Sequence, residues 1–296
     1  MWILSTFIAA WFQSMRTAYQ NSLSKESGTL HATLARSLFG LPFVFIYGAF
    51  CWIVLGPINS SVPAAFYISG TIGAVAQVAA TYLMLNLFKT QSFASGTLFA
   101  KTEALMTALL GLVIFASPLS IWAWIGIFFG VVGIIILSVK SQISVGSFFQ
   151  KSAILGLASG LCFAVTSLAV AFASRELEGH LATRAAITLI FVLSVQSVLL
   201  WSIQSYLEKN LLSPFNKNIA LSNKVGFFSA IGSVGWFTAF TLANPALVKT
   251  LGQIEVIGTL YYSKYRFSES ISHREWIGGG FILASVIIVA LASFYS

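Results

Sequence analysis

The sequence contains no aspartate, so its eight acidic side chains are all glutamates. That excludes chemistry resting on paired or clustered aspartates, such as aspartate-dyad proteolysis inside a membrane or prenyl transfer on Asp-rich motifs. Histidine is scarce: His31, His180 and His273 fall at helix ends or in loops. A deep serine such as Ser233 therefore has no histidine at matching depth to activate it, and no cluster with metal-ligand spacing exists. The two cysteines, Cys51 and Cys162, each lie inside a hydrophobic run, which argues against a disulfide framework or a metal site. Nothing calls for a cofactor. Charge as a whole is sparse, at 8% of residues, against about 25% in an ordinary soluble domain.

What fills the 296 residues instead is apolar: 57% are hydrophobic. A bilayer core of about 30 Å needs roughly 20 apolar residues per spanning helix. Lipid offers no partner to backbone N–H and C=O groups, so spanning elements are helices or closed barrels. The apolar runs here are continuous and do not alternate, which favours helices. The net charge of +8 comes from cations scattered over loops and helix ends. They form no basic run, so they read as topology signals and not as a nucleic-acid footprint.

Hydropathy and Pro/Gly punctuation predict an all-α polytopic membrane protein of ten transmembrane helices. The predicted helices are Trp2 to Gln20, Thr33 to Leu55, Ala64 to Phe88, Ser92 to Phe115 and Ser120 to Val139, then Ala153 to Ser174, Thr183 to Gln204, Lys224 to Ala243, Ala246 to Tyr265 and Glu275 to Phe294. The first stretch lacks a basic leader and a small-residue cleavage site, so it reads as a retained helix. A polar linker, Lys140 to Lys151, separates two halves, residues 1–143 and 144–296.

The halves repeat. A shift of 152 places Glu103 on Glu255, Ser120 on Ser272 and Trp124-Ile125-Gly126 on Trp276-Ile277-Gly278. A shift of 151 places Phe12 on Phe163, and one of 148 places Arg36 on Arg184. Five helices is an odd number, so the second copy enters the membrane from the opposite side. The expected architecture is thus two inverted five-helix repeats around a cavity near the midplane, the arrangement of alternating-access carriers.

An ionisable group at the bilayer centre costs at least about 2.5 to 3.5 kcal/mol, so one that is present normally faces the bundle interior and has a use. Glu103 and Glu255 lie deepest and are equivalent in the repeat. They are expected to carry a proton, to meet a cationic group of the solute, or to be neutralised by a neighbouring lysine, with Lys101 near Glu103 and Lys249 near Glu255. Lys101 aligns with Gln253 and Lys249 with Thr97; the two positions in each copy are four apart and share a helix face. Arg36 and Arg184 add cations, so an anion site is equally open. Gln13, Arg16 and Gln20 form a polar stripe on the first helix, where Arg16 either faces the interior or snorkels to the headgroups. Gln77 and Asn86 on the third helix and Gln196 on the seventh are deep amides. Tyr82 and Trp236 offer aromatic faces to a solute or serve as packing. Gly126-x-x-x-Gly130, Gly156-x-x-x-Gly160 and Gly278-Gly279-Gly280 are spacings for close helix contact, leaving monomer and homodimer both open. Trp124 and Trp276 sit at helix starts as interfacial anchors.

The segment Phe267, Glu269, Ile271-Ser272 and Trp276-Ile277-Gly278, following the helix with Glu255, resembles the end of an EamA unit of the drug/metabolite transporter superfamily. Phe115, Leu119-Ser120 and Trp124-Ile125-Gly126 resemble it in the first half, with Ser117 where the second copy has Glu269. Arg36 is similar to an arginine that members carry early in the second helix. The resemblance implies ten helices and a carrier of a small-molecule solute that does not hydrolyse ATP. The expected function is secondary transport of a small polar or amphipathic, amino-acid-like metabolite, with proton-coupled efflux of organic cations or a lipid-type translocase as alternatives. Ten lysines and arginines follow the odd-numbered helices and Arg175 alone follows an even one. That bias puts both termini outside a bacterial-type inner membrane, with lipid as the surrounding partner.

Overall fold

A computed structural model describes residues 1–58, 61–89, 93, 102–115, 119–138, 151–207, 218–268 and 273–292. Among these the regular elements are all helical. In chain order they are α1 (Trp2–Ser27), α2 (Thr29–Leu38), α3 (Leu41–Leu55), α4 (Ala64–Leu87), α5 (Glu103–Phe115), α6 (Ile121–Ser138), α7 (Lys151–Arg175), α8 (Leu181–Leu207), α9 (Ile219–Leu242), α10 (Pro245–Leu251), a 3₁₀ turn (Gly252–Ile254), α11 (Glu255–Arg266) and α12 (His273–Ala292). Among the described residues, five helical segments are long and apolar enough to cross a membrane: Thr29–Leu55, Ala64–Leu87, Ile154–Arg175, Leu181–Leu207 and Ile219–Leu242. Shorter apolar helices cover Glu103–Val113, Ile121–Gly133 and Trp276–Leu291.

Local chemistry sets the element ends. Helix α1 runs to Ser27, well past the Gln20 expected from hydropathy, because Gln20, Asn21 and Ser24 are buried against protein. It stops at Gly28, whose φ of 89° is open to glycine without steric penalty, and the same residue opens α2. Pro42 in the first turn of α3 removes a donor that a helix start leaves unused anyway. Asn244 caps α10, its side-chain oxygen accepting from the Ala246 N–H at 2.9 Å, with Pro245 at the first helical position. The helix expected over Ala246 to Tyr265 is in fact two helices joined by the 3₁₀ turn.

The contacts sort into two compact units, each drawing on both halves of the chain: Met1–Val78 with Thr166–Leu242, and Ala79–Val165 with Ala243–Ser296. In the first unit α1 packs along α9, where Gly232 and Gly235 let the Ala9 backbone approach. Gly226 lies directly on Phe39, in the turn between α2 and α3. Phe66, Ala173 and Leu177 form a core that Ile187 and Phe191 complete. In the second unit α6 lies along α12, with Gly126 against Val289 and Gly133 against the Gly278 carbonyl. Small residues do here what they do in bilayers generally, replacing the hydrophobic drive that lipid removes by close backbone packing.

The contrast between two glycines tests this. Gly226→Ala has no room for its methyl beside Phe39 and is expected to lose about 1 to 3 kcal/mol of stability, whereas Gly280→Ala, which meets nothing within 4 Å, stays level or gains slightly through helix propensity. Thermal melts of the two purified variants in detergent check the difference; equal melting points would refute it.

Candidate functional site

The 3₁₀ turn interrupts its helix where the side chains are most polar. Upstream, Lys249 stands in the last turn of α10, where helix carbonyls and the dipole favour a cation. Downstream, Glu255 opens α11, its own N–H bonded back to carbonyls of the 3₁₀ turn. Glu103 opens α5. The two repeat-equivalent glutamates therefore hold the same local position, each in the first turn of a helix, and both are buried.

Lys249 reaches across to Glu103, with Nζ 3.2 Å from Oε2 and both side chains only 6% exposed. Its ammonium also lies 5.9 Å from the centroid of the Phe163 ring on α7. The lysine expected to answer Glu255 thus bonds the equivalent glutamate of the other copy. The reason is geometric: residues 249 and 255 are separated by the 3₁₀ turn, whereas α10 packs against α5. Lys101 and Thr97 lie outside the described residues, as do Ser117 and Glu269. Gln253 occupies the 3₁₀ turn itself, its amide against Gly130 of α6 and beside Ser285 of α12.

In the first unit the α1 stripe is held in the interior. Arg16 is 4% exposed and in the middle of the longer α1, so it does not snorkel. Its Nη2 donates to Thr17 Oγ1 at 3.4 Å, and its charge repels that of Arg36, itself buried on α2. Gln13 Oε1 accepts the Trp236 indole N–H at 2.7 Å, tying α1 to α9, and Trp236 stacks on Phe240. Gln20 donates to the Ala32 carbonyl at 2.9 Å. Gln77 Oε1 accepts from Gln196 at 2.8 Å, joining α4 to α8.

The structure does not give Arg184 the setting of Arg36, despite their sequence equivalence. Arg184 is half-buried and its Nε donates to the Ser174 carbonyl at 2.9 Å, closing the end of α7, while Arg175 donates to the Phe240 carbonyl at 3.2 Å. Tyr82 is 43% exposed on α4. Sequence reasoning passed over Phe163 as a contact of Lys249, and over Ser285. The one signal for Ser285 is a lone hydroxyl in an apolar last helix. Among the described residues no three His, Cys, Asp or Glu side chains converge as metal ligands.

A model of the EamA-like transporter family matches residues 1–139. No curated protein matches the sequence. Among solved structures 25 chains match. One, described only as "Crystal structure of protein", superposes with a TM-score of 0.74 at 16% identity, covering 98% of this chain and 96% of its own. At that identity the likeness speaks for the fold alone.

The ion pair makes a direct prediction. Lys249→Met leaves the Glu103 carboxylate buried without this partner and is expected to cost about 3 kcal/mol, while Glu103→Gln with Lys249→Met together recover most of it because no charge is stranded. A double-mutant cycle on melting temperatures reads the coupling; additive losses would remove the pair from the account.

Proposed function

We propose that this integral, multi-pass membrane protein, whose residues 1–139 match the EamA-like transporter family of the drug/metabolite transporter superfamily, is a secondary carrier of a small polar, amino-acid-like metabolite. In this reading ten spans form two inverted five-helix repeats, residues 1–143 and 144–296. The cytoplasmic face of a bacterial-type inner membrane meets the cation-rich loops, and rocking of the repeats gives alternating access.

The observation that carries the reading is the buried pair of Glu103 and Lys249, which joins the fourth predicted helix of one repeat to the fourth of the other. Desolvation cancels much of the attraction in such a pair, so it contributes little net stability and is poorly explained as a fastener. It is better explained as two charges that can exchange partners. A zwitterionic solute offers an ammonium to Glu103 and a carboxylate to Lys249, so the pair can open without stranding either charge. The 3₁₀ turn beside it supplies a hinge, as mid-helix 3₁₀ segments and broken transporter helices do. Arg16 and Arg36, both buried in the first unit, are proposed as further cationic solute-binding residues. Gln13, Gln77, Tyr82 and Trp236 are proposed as further solute-binding residues, and Glu255 as a second carboxylate site.

One contact favours the second reading, proton-coupled efflux of organic cations. The Lys249 ammonium lies between a carboxylate and the Phe163 ring, a setting that also suits a quaternary or aromatic-amine cation.

Counterflow of labelled amino acids into proteoliposomes tests both. The carrier reading expects exchange that falls roughly 100-fold in Glu103→Gln and in Lys249→Met, the scale for truncating one partner of a buried charge pair. Exchange that survives Glu103→Gln unchanged would eliminate this site. Acid-loaded vesicles that accumulate tetramethylammonium, but exchange no amino acid, would instead favour the cation reading.

A further inference from the structure

The charges buried in the second unit are few enough to be balanced one against another. Among the described residues of that unit the buried charged side chains are Glu103, Lys249 and Glu255. Helices α5, α6 and α10 and the 3₁₀ turn carry two ionisable side chains between them, Glu103 and Lys249. On α12, which also packs against α10, the ionisable residues are His273, Arg274 and Glu275 in the first turn, and the first two are exposed. The carboxylate of Glu103 and the ammonium of Lys249 thus answer each other, 3.2 Å apart, within one compact unit of the chain. At 6% exposure there is little water to answer either of them alone. A binding site made of a single buried charge is left bare when its solute departs, and a bare charge near the bilayer centre slows any movement across it by about 100-fold or more. Such a carrier returns only when it is loaded again, or when an ion takes the solute's place.

We propose that Lys249 is the counter-ion that closes the vacated site, so that the carrier returns without solute and works as an electroneutral facilitator. It moves a zwitterion down its own gradient and requires no proton, inorganic ion or second solute to do so. The inference rests on the carrier reading above and adds to it the mode of transport. Its basis is a charge balance. With solute bound, the solute ammonium faces Glu103 and the solute carboxylate faces Lys249. Once the solute leaves, the two side chains close on each other in the geometry seen here, with the Phe163 ring beside the ammonium. The pair carries no net charge in either state, and a zwitterion brings none. Neither direction of movement therefore strands a charge, and the membrane potential acts on neither. A site holding Glu103 alone would need a proton or a second cation for the return, and one holding Lys249 alone would need an anion.

Efflux from proteoliposomes containing the full chain tests the mode. Vesicles loaded with a labelled mixture of neutral L-amino acids are diluted into buffer with or without the same mixture unlabelled. The two efflux rates are expected to be of the same order, where a bared charge would separate them by about 100-fold. A potential of about 100 mV set with potassium and valinomycin should leave the final distribution unchanged, whereas one net charge per solute would shift it about 50-fold. A pH gradient should drive no accumulation. In Lys249→Met the exchange that remains should outpace efflux into solute-free buffer by about 100-fold, because Glu103 is bared each time the solute leaves. In Glu103→Gln with Lys249→Met the two rates should converge again. Where a variant does not fold, the wild-type rates decide alone. Wild-type exchange without comparable efflux into solute-free buffer, accumulation driven by potential or pH, or an unaltered ratio in Lys249→Met overturns the facilitator and leaves the carrier reading standing. Movement of no amino acid into either buffer overturns the carrier reading and the facilitator with it.

Discussion

A bilayer core answers no hydrogen bond, and every departure from a continuous apolar helix in this chain must therefore be answered by protein. The structure meets that demand repeatedly with side chains aimed at carbonyls. Thr183 reaches the Gly56 carbonyl at 3.0 Å where α3 ends, Arg184 reaches Ser174 where α7 ends, and Gln20 reaches Ala32 beside the junction of α1 and α2. These contacts locate polarity without implying activity.

The same constraint weighs the Glu103–Lys249 pair. Two charges withdrawn from water recover by mutual attraction little more than they lose, and removing one of them is far worse than replacing both. Such a pair is stable only while complete, and it can separate only when other charges take the places of both members. A fold that merely needed α10 fixed to α5 has a simpler means in the apolar cluster of Ala108, Ile127 and Ala246, which already packs there. The pair therefore fits a proposed exchange of partners better than a fastening role.

Composition and periodicity made the helical, membrane-embedded character legible, since continuous apolar runs admit few alternatives. The burial of Glu103, Glu255, Lys249, Arg36 and Gln253 was legible too, because each interrupts an otherwise apolar segment. Three things were not. The end of α1 was hidden because hydropathy cannot distinguish a polar residue facing water from one facing protein, as Gln20 and Asn21 do. The 3₁₀ turn was hidden because Gly252 alone is a weak break signal among good helix formers. The partner of Lys249 was hidden because pairing between distant segments depends on which helices pack together, and spacing along the chain points to the nearer Glu255. Arg184 shows the converse error. Equivalence in a repeat preserves a position along a helix, but the neighbours that decide a side chain's role come from elsewhere.

That last point bears on the proposed inverted repeat. Two identical copies would line a central site symmetrically, and a symmetric lining suits a symmetric solute. Here the copies share their glutamates but differ around them: where one sequence has Thr97 and Lys101, the other has Lys249 and Gln253. In the second copy the cation sits before the helix break and the neutral amide within it. In the proposed carrier the second copy thus offers a charged side chain and a neutral amide about a helical turn apart. A solute that satisfies both must itself be unlike at its two ends, and it must present them in one order. In the proposed carrier, divergence of the copies at these few positions is how a duplicated bundle would acquire a preferred solute.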